Sequence, residues 1–144
     1  MNSLNSRVTA VFGALVLAQA AHSTEECIGR LWESFPPARF VAGLISSDLG
    51  RGFIVGNVCI VAFGVWCYFW PVRRQWPVAT SILWIWIAVE MTNGVVHPAW
   101  SVVQGGYTPG VVTAVPLLLL ATYLATLVSR ARTSGEARHA ETDS

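Results

Sequence analysis

Apolar residues occur in long runs along this chain, and polar residues collect in short stretches between them. A membrane-spanning helix needs about 20 mostly apolar residues, with a range of about 17–25. Three runs satisfy this requirement, at residues 52–72, 76–97 and 109–129. The second run is expected to end or bend at His97, because the residue before a proline, here Pro98, is disfavoured in a helix.

The segment before these runs has two interpretations. It is apolar for only about 14 residues before His22 and two glutamates, which is short for a span. It forms a first span, over residues 7–29, only if those polar groups face the protein interior. The alternative is a cleaved signal peptide whose cleavage site is the sequence Ala18-Gln19-Ala20.

The connector after this segment and the C-terminal tail differ from the apolar runs. Within the connector, the apolar stretch at residues 40–45 is too short to cross a membrane and predicts a surface-lying or re-entrant helix. The tail, residues 130–144, is polar and predicted to be disordered. The sequence therefore predicts one all-α transmembrane domain, residues 1–128, built as a four-helix bundle with a short interfacial helix between spans one and two.

Composition supports a membrane protein and excludes several other classes. Of 144 residues, 53% are hydrophobic and 12% charged, whereas soluble domains have about 25% charged residues. A net charge of +1 gives no field that favours nucleic acid. The cysteines lack CxxC spacing and are odd in number, so they form neither a disulfide framework nor a thiolate metal site: Cys27, Cys59 and Cys67.

The arginines predict an orientation, since basic residues collect on the cytoplasmic side of a membrane. With four spans, one side holds six of them: Arg7, Arg73, Arg74, Arg130, Arg132 and Arg138. The other side holds three: Arg30, Arg39 and Arg51. Both termini are therefore expected in the cytoplasm.

Ionisable groups inside the predicted spans are the most informative residues. A charged side chain at the bilayer centre costs at least about 2.5–3.5 kcal/mol on insertion scales, so such residues are functional candidates. The first group lies near the end of span one and comprises His22, Glu25 and Glu26. Helix positions three and four apart share a face, so His22 can meet both glutamates.

A second group lies in the third span and comprises Glu90, Asn93 and His97. At about 100° per residue their offsets fall within a stripe roughly 60° wide. The two groups also match in depth. Measured from Arg7 and Gln75 as the cytoplasmic ends, His22 and Glu90 each lie 15 residues in (22 − 7 and 90 − 75), so we expect them to converge.

Three chemistries would use this set of residues. Imidazole nitrogens and carboxylate oxygens are ligands of Zn, Fe or Mn, and the predicted ligands are His22, Glu26, Glu90 and His97. Metal-free acid–base catalysis is the alternative, with His22, Glu25, Glu90 and Asn93 as the catalytic candidates. A proton or cation pathway is the third.

The string His22-Ser23-Thr24-Glu25-Glu26, near the end of a first hydrophobic segment, resembles the motif that names the HXXEE family of small bacterial membrane proteins. The second polar group, followed by a glycine-rich turn and an apolar last helix, is similar to that family's second half. The resemblance covers roughly residues 8–128. It implies that His22, Glu25 and Glu26 matter and supplies no reaction.

These observations predict a multi-pass protein of the bacterial plasma membrane. The leading hypothesis is an enzyme that acts on a membrane lipid or an isoprenoid-like hydrophobic molecule by metal or acid–base chemistry. The alternatives are a small proton- or cation-coupled transporter, which four spans would build as a homo-oligomer, and an accessory protein whose polar cluster only holds helices together.

Overall fold

The structure is a computed structural model that describes residues 6–142. These residues form helices and no strand, which confirms the predicted all-α class. The helices are α1 (Ser6–Ile28), α2 (Leu31–Ser34), α3 (Pro36–Ile45), α4 (Leu49–Cys67), α5 (Ala79–Gln104) and α6 (Val111–Thr142). A π-helical turn, Tyr68–Val72, continues α4.

Three of the described helices are long and apolar enough to cross a membrane: Leu49–Val72, Ala79–Gln104 and Val111–Ala131. They correspond to the three apolar runs of the sequence. Helix α1 has the length of a span but is not among them, and it carries four buried polar side chains in its last turns. A bundle of four membrane-spanning helices therefore stays a prediction.

The last helix holds the domain together. Helix α6 packs against both α5 and α1, and α1 also contacts α4. Their shared core is apolar, and the largest of its completely buried members are Phe12, Leu15, Leu83, Ile87, Leu117 and Leu124. Helices α5 and α6 approach closely at Gly94, where an added Cβ would lie only 2.5 Å from the Cβ of Leu118. This contact brings the polar stripe of α5 beside the start of α6.

The segment between α1 and α4 forms a second packing unit. Helix α3 lies against α4, and a small apolar cluster fixes them together: Leu31, Trp32, Ala42 and Phe53. The short helix expected between the first two spans is thus present as α3. Its outer face exposes large apolar side chains, including Phe40 and Leu44.

Two helices extend further than the sequence predicted. Helix α5 does not end at His97 but continues through Pro98 to Gln104, so the loss of one backbone N–H does not break it. The tail predicted to be disordered is helical as far as Thr142, while residues 143 and 144 lie outside the described residues. Alanine, arginine and glutamate in the tail are good helix formers, which favours continuation of an existing helix.

Candidate metal centre

Four polar residues of α1 share one face and point into the protein. Gln19, His22, Ser23 and Glu26 are all buried, and their spacing of three, four and seven residues is that of a single helical face. His22 is completely inaccessible, and Glu26 retains 9% exposure. The polar end of α1 is therefore an interior surface.

The centre of the site is formed by His22, Glu26 and His97. The Nε2 atoms of His22 and His97 lie 3.3 and 3.1 Å from the same carboxylate oxygen, Oε1 of Glu26. The two imidazole rings meet edge to face, with centroids 4.6 Å apart. Buried residues of α1 and α5, which are far apart in the sequence, thus converge on one point, and the group could hold a metal ion.

A hydrogen-bond chain fixes the outer nitrogen of His22. Its Nδ1 lies 2.8 Å from the hydroxyl oxygen of Thr113, and that hydroxyl also contacts the carboxylate of Glu25. A carboxylate only accepts, so the Thr113 hydroxyl donates to Glu25 and receives the proton of His22 Nδ1. In the neutral ring this assignment leaves a lone pair on Nε2, directed at Glu26.

The backbone of the α5–α6 loop fixes His97 in the same way. Its Nδ1 lies 3.0 Å from the carbonyl oxygen of Pro109, which can only accept. The proton of a neutral His97 is thus also on Nδ1, and its Nε2 lone pair also faces Glu26. Hydrogen bonds of this kind, on the nitrogen remote from the metal, are characteristic of histidine ligands.

The residue after Pro109 in this loop must be glycine. Gly110 has φ of +93°, which side-chain-bearing residues rarely adopt. An added Cβ would lie 2.6 Å from His97 Nδ1 and 2.9 Å from Cε1 of His22. The glycine therefore lets the loop approach both imidazoles and hold them together.

These contacts create an electrostatic requirement. Two imidazole lone pairs and a carboxylate oxygen converge, and none of the three atoms carries a proton to donate. Nε2 of His22 has no hydrogen-bond partner among the described residues. A buried arrangement of acceptors is unfavourable unless a cation lies among them. Either a metal ion or an added proton must supply that charge.

The distances agree with metal coordination. Zinc binds histidine nitrogen and carboxylate oxygen at about 2.0–2.2 Å, so adjacent ligand atoms of a tetrahedral site are separated by roughly 3.4 Å. The two measured separations, 3.3 and 3.1 Å, are close to this value. Three protein ligands leave a further position open, as in catalytic rather than structural sites.

Glu90 is not part of this group, contrary to the prediction that it is a ligand. It is completely buried, and its carboxylate is bound by two amides. Asn93 donates to it at 3.2 Å, and the Gln19 amide, oriented with nitrogen toward Glu90, donates to its two oxygens at 2.9 and 3.0 Å. Glu90 therefore joins α1 to α5 about two helical turns before His97.

The prediction that His22 and Glu90 lie at the same depth was wrong by three residues. The observed pairs between α1 and α5 are Gln19 with Glu90 and Glu26 with His97, both separated by 71 positions (90 − 19 and 97 − 26). Equal offsets mean that the helices run in the same direction, as expected. The predicted partners, His22 and Glu90, differ by 68, a displacement of about 4.5 Å along the axis.

Glu25, a predicted catalytic residue, binds the start of α6. Its carboxylate accepts from the backbone N–H groups of Val112 and Thr113 at 3.3 and 2.9 Å, and from the Tyr107 hydroxyl at 2.9 Å. Burial and this carboxylate raise the pKa of Tyr107, which keeps the phenol a donor. Glu25 thus anchors the helix that supplies Thr113 to His22.

Several residues of the site were missed by sequence reasoning. Gln19 shares the helical phase of His22 and Glu26, and that phase could have identified it. Thr113, Pro109 and Gly110 gave no signal, because they act through a hydroxyl, a carbonyl and a missing side chain.

Comparison of the chain with protein-family models, curated proteins and solved structures finds no match. The residues of this centre therefore carry the functional argument by themselves.

Proposed function

We propose that this protein is a membrane-embedded, metal-dependent enzyme that acts on a lipid or isoprenoid-like substrate. His22, Glu26 and His97 hold one divalent ion, Zn²⁺, Fe²⁺ or Mn²⁺. Two histidines with one carboxylate suit both zinc hydrolases and non-haem iron sites, so the ligand set is compatible with more than one of these metals.

The observation that carries the proposal is Nε2 of His22, which lies 3.3 Å from Oε1 of Glu26 but forms no hydrogen bond with any described residue. A proton on Nε2 of His97 would satisfy His97 and Glu26 but would leave His22 with a lone pair and no donor. A metal ion binds all three atoms at once. The fixed Nδ1 contacts with Thr113 and Pro109 support this interpretation, because they orient both imidazoles before any ion arrives.

A divalent ion in such a site would polarise a substrate oxygen or lower the pKa of a bound water. The chain's own residues orient the ligands and exclude bulk water, since His22 and His97 are both buried. Glu90 and its two amides stabilise the adjacent turn of α1 and α5.

The surroundings of the site favour a hydrophobic substrate. Two of the helices that carry it, α5 and α6, are long and apolar enough to span a membrane. The proposed location is the bacterial plasma membrane with both termini in the cytoplasm, in accordance with the arginine distribution and the resemblance to the HXXEE family. Assignment to that family is likewise a proposal.

Metal analysis of the detergent-purified full chain tests the centre. After reconstitution with Zn²⁺, Fe²⁺ or Mn²⁺ in turn and removal of excess ion, we expect about one ion per chain for at least one metal. The ion should be lost from His22→Ala and from Glu26→Gln. Glu33→Gln is the matched control, because Glu33 is exposed and paired only with Arg30 in the structure.

Circular dichroism on each variant identifies any that fail to fold, and Glu26→Gln changes little in shape. Absence of every metal from the folded wild type would refute the centre, as would equal retention by Glu26→Gln. The enzymatic part is tested by incubating the loaded chain with a total bacterial lipid extract. A lipid consumed by wild type but not by Glu26→Gln supports it; full metal occupancy with no lipid altered contradicts it.

A further inference from the structure

A cavity of about 370 Å³ lies beside the metal centre, between α3 and α4 on one side and α1 and α5 on the other. Glu26 lines this cavity, whereas His22 and His97 do not. The centre therefore faces an open space through one of its three ligands. Any substrate that reaches the ion from this cavity passes Glu26.

The lining is divided by chemistry. Helix α3 contributes apolar side chains, including Val41 and Ile45, and α4 adds Phe53 and Ile60. The polar members are one carboxylate, Glu26, and three amides, Gln19, Asn57 and Asn93. A molecule that fits both parts has an apolar chain and a polar head.

The volume indicates how much of that molecule lies inside the cavity. At about 30 Å³ per water-sized group, 370 Å³ accommodates roughly a dozen non-hydrogen atoms. A single chain with a small head fits within this space, whereas a phospholipid with two acyl chains would extend well beyond it. The cavity lies at the lower end of the range for ligand pockets, about 300–1,000 Å³.

Charge limits the head group. The lining contains no arginine or lysine, and its one ionisable member is Glu26. Two lining amides, from Gln19 and Asn93, are already bound to a second carboxylate, that of Glu90. Arginine and lysine, which commonly hold phosphate groups, are absent from the lining, and the carboxylate of Glu26 repels an anion, so a phosphate or diphosphate head is disfavoured here.

Asn57 is suited to a neutral head. One N–H of its amide donates to the backbone oxygen of Phe53 at 3.1 Å, which leaves the second N–H and the amide oxygen for a bound molecule. It is the polar amide of the α4 span, a position where lipid contact alone would favour an apolar residue. An ester, amide or aldehyde carbonyl could accept the remaining N–H.

We infer that the cavity binds a single-chain lipid with an uncharged carbonyl head, with the chain against α3 and the head between Asn57 and Glu26. Asn57 is then a residue that determines specificity. The inference rests on the proposed function, since it supplies the substrate class for the same centre, and it narrows that class to single-chain lipids whose head is uncharged.

Binding of two ten-carbon probes tests the inference on the metal-loaded full chain in detergent. The probes are decanamide, which has an uncharged carbonyl head and twelve non-hydrogen atoms, and decyl phosphate, which is anionic. Affinity is measured by native mass spectrometry, and the metal content of each sample is determined in parallel. We expect decanamide to bind at least about 10-fold more tightly than decyl phosphate.

Two tryptophan substitutions on α3 form a matched pair. Val41 lines the cavity, whereas Leu44, one turn away and also exposed, does not. Val41→Trp should weaken decanamide binding at least about 10-fold, and Leu44→Trp should change it less than about twofold. Asn57→Leu should weaken decanamide about 10-fold and leave decyl phosphate unchanged, which corresponds to about 1.4 kcal/mol for the lost contact.

Equal or tighter binding of decyl phosphate would overturn the inference, as would equal effects of Val41→Trp and Leu44→Trp. The parallel metal measurement separates this failure from that of the proposed function. Metal present without decanamide binding refutes the substrate class only. Decanamide binding to a chain that takes up no metal refutes the metal centre while the cavity assignment stands.

Discussion

The two halves of α1 bury different kinds of side chain. Residues 8–16 bury apolar side chains against the core, including Phe12 and Leu15. Residues 19–26 bury polar ones, and each of these has a specific partner in α1, α5 or α6: Gln19, His22, Ser23 and Glu26. The same helix therefore carries an apolar packing surface in its first half and a polar functional surface in its second half.

The two halves differ in how strictly they constrain the amino acid at each position. Apolar contacts are non-directional, so the first half tolerates changes that preserve volume. The polar half depends on the direction of each lone pair and proton, and a buried acceptor without a partner is costly. Substitutions in the two halves should therefore separate stability from metal binding.

Gly110→Ala should have the largest effect on metal affinity. A methyl group there would meet both imidazoles, and alanine disfavours φ of +93°. We expect metal affinity to fall about 100-fold or more. That is the upper end of the range for groups that orient metal ligands, or beyond it.

Gly106→Ala is the control for this measurement, since the added Cβ meets nothing within 4 Å in the same loop. Metal titration of both purified variants gives the result. If Gly110→Ala retained wild-type affinity, the loop would not be what holds the two histidines together.

Thr113→Val should have an intermediate effect. Valine keeps the shape of threonine but cannot accept the proton of His22 Nδ1, so the ring loses the contact that fixes its tautomer. Metal affinity is expected to fall about 10- to 100-fold. Thr113→Ser keeps the hydroxyl and should restore most of it. Equal affinity in the valine and serine variants would show that packing alone orients His22.

Leu15→Ala should have the smallest effect on metal affinity, less than about twofold, because Leu15 lies in the apolar half. It should nevertheless lower the free energy of unfolding by about 2–5 kcal/mol, since Leu15 is fully buried. Leu17→Ala, at a position that is 74% exposed, should change stability by less than about 0.5 kcal/mol. Unfolding in detergent measures both variants. A Leu15→Ala protein that lost its metal while still folded would remove the distinction between the halves.

Much of the fold was predictable because long apolar runs specify helices independently of their neighbours. The all-α class, the three helices long and apolar enough to cross a membrane and the short helix α3 follow from run length. Helix ends were less predictable: α5 continues through Pro98 to Gln104, although Pro98 lacks the backbone N–H that an α-helix uses.

The site was predicted in part for a similar reason. Helical phase alone places His22 and Glu26 on one face and Glu90 and His97 on another, so the sequence determined which residues are candidates. It could not determine that His97 rather than Glu90 meets Glu26, because a shift of three residues between α1 and α5 leaves both faces intact.

Tertiary structure decided the rest. The contact between α5 and α6 at Gly94 brings α6 and its preceding loop to the histidines. The loop contributes the carbonyl of Pro109 and, at Gly110, a residue without a side chain. Neither group can be recognised from the pattern of hydrophobic residues in the sequence. The sequence determined that histidine and glutamate side chains lie within apolar helices and therefore need polar partners inside the protein. Only the packing of three helices decided which groups those partners are, because the direction of a lone pair depends on positions in space.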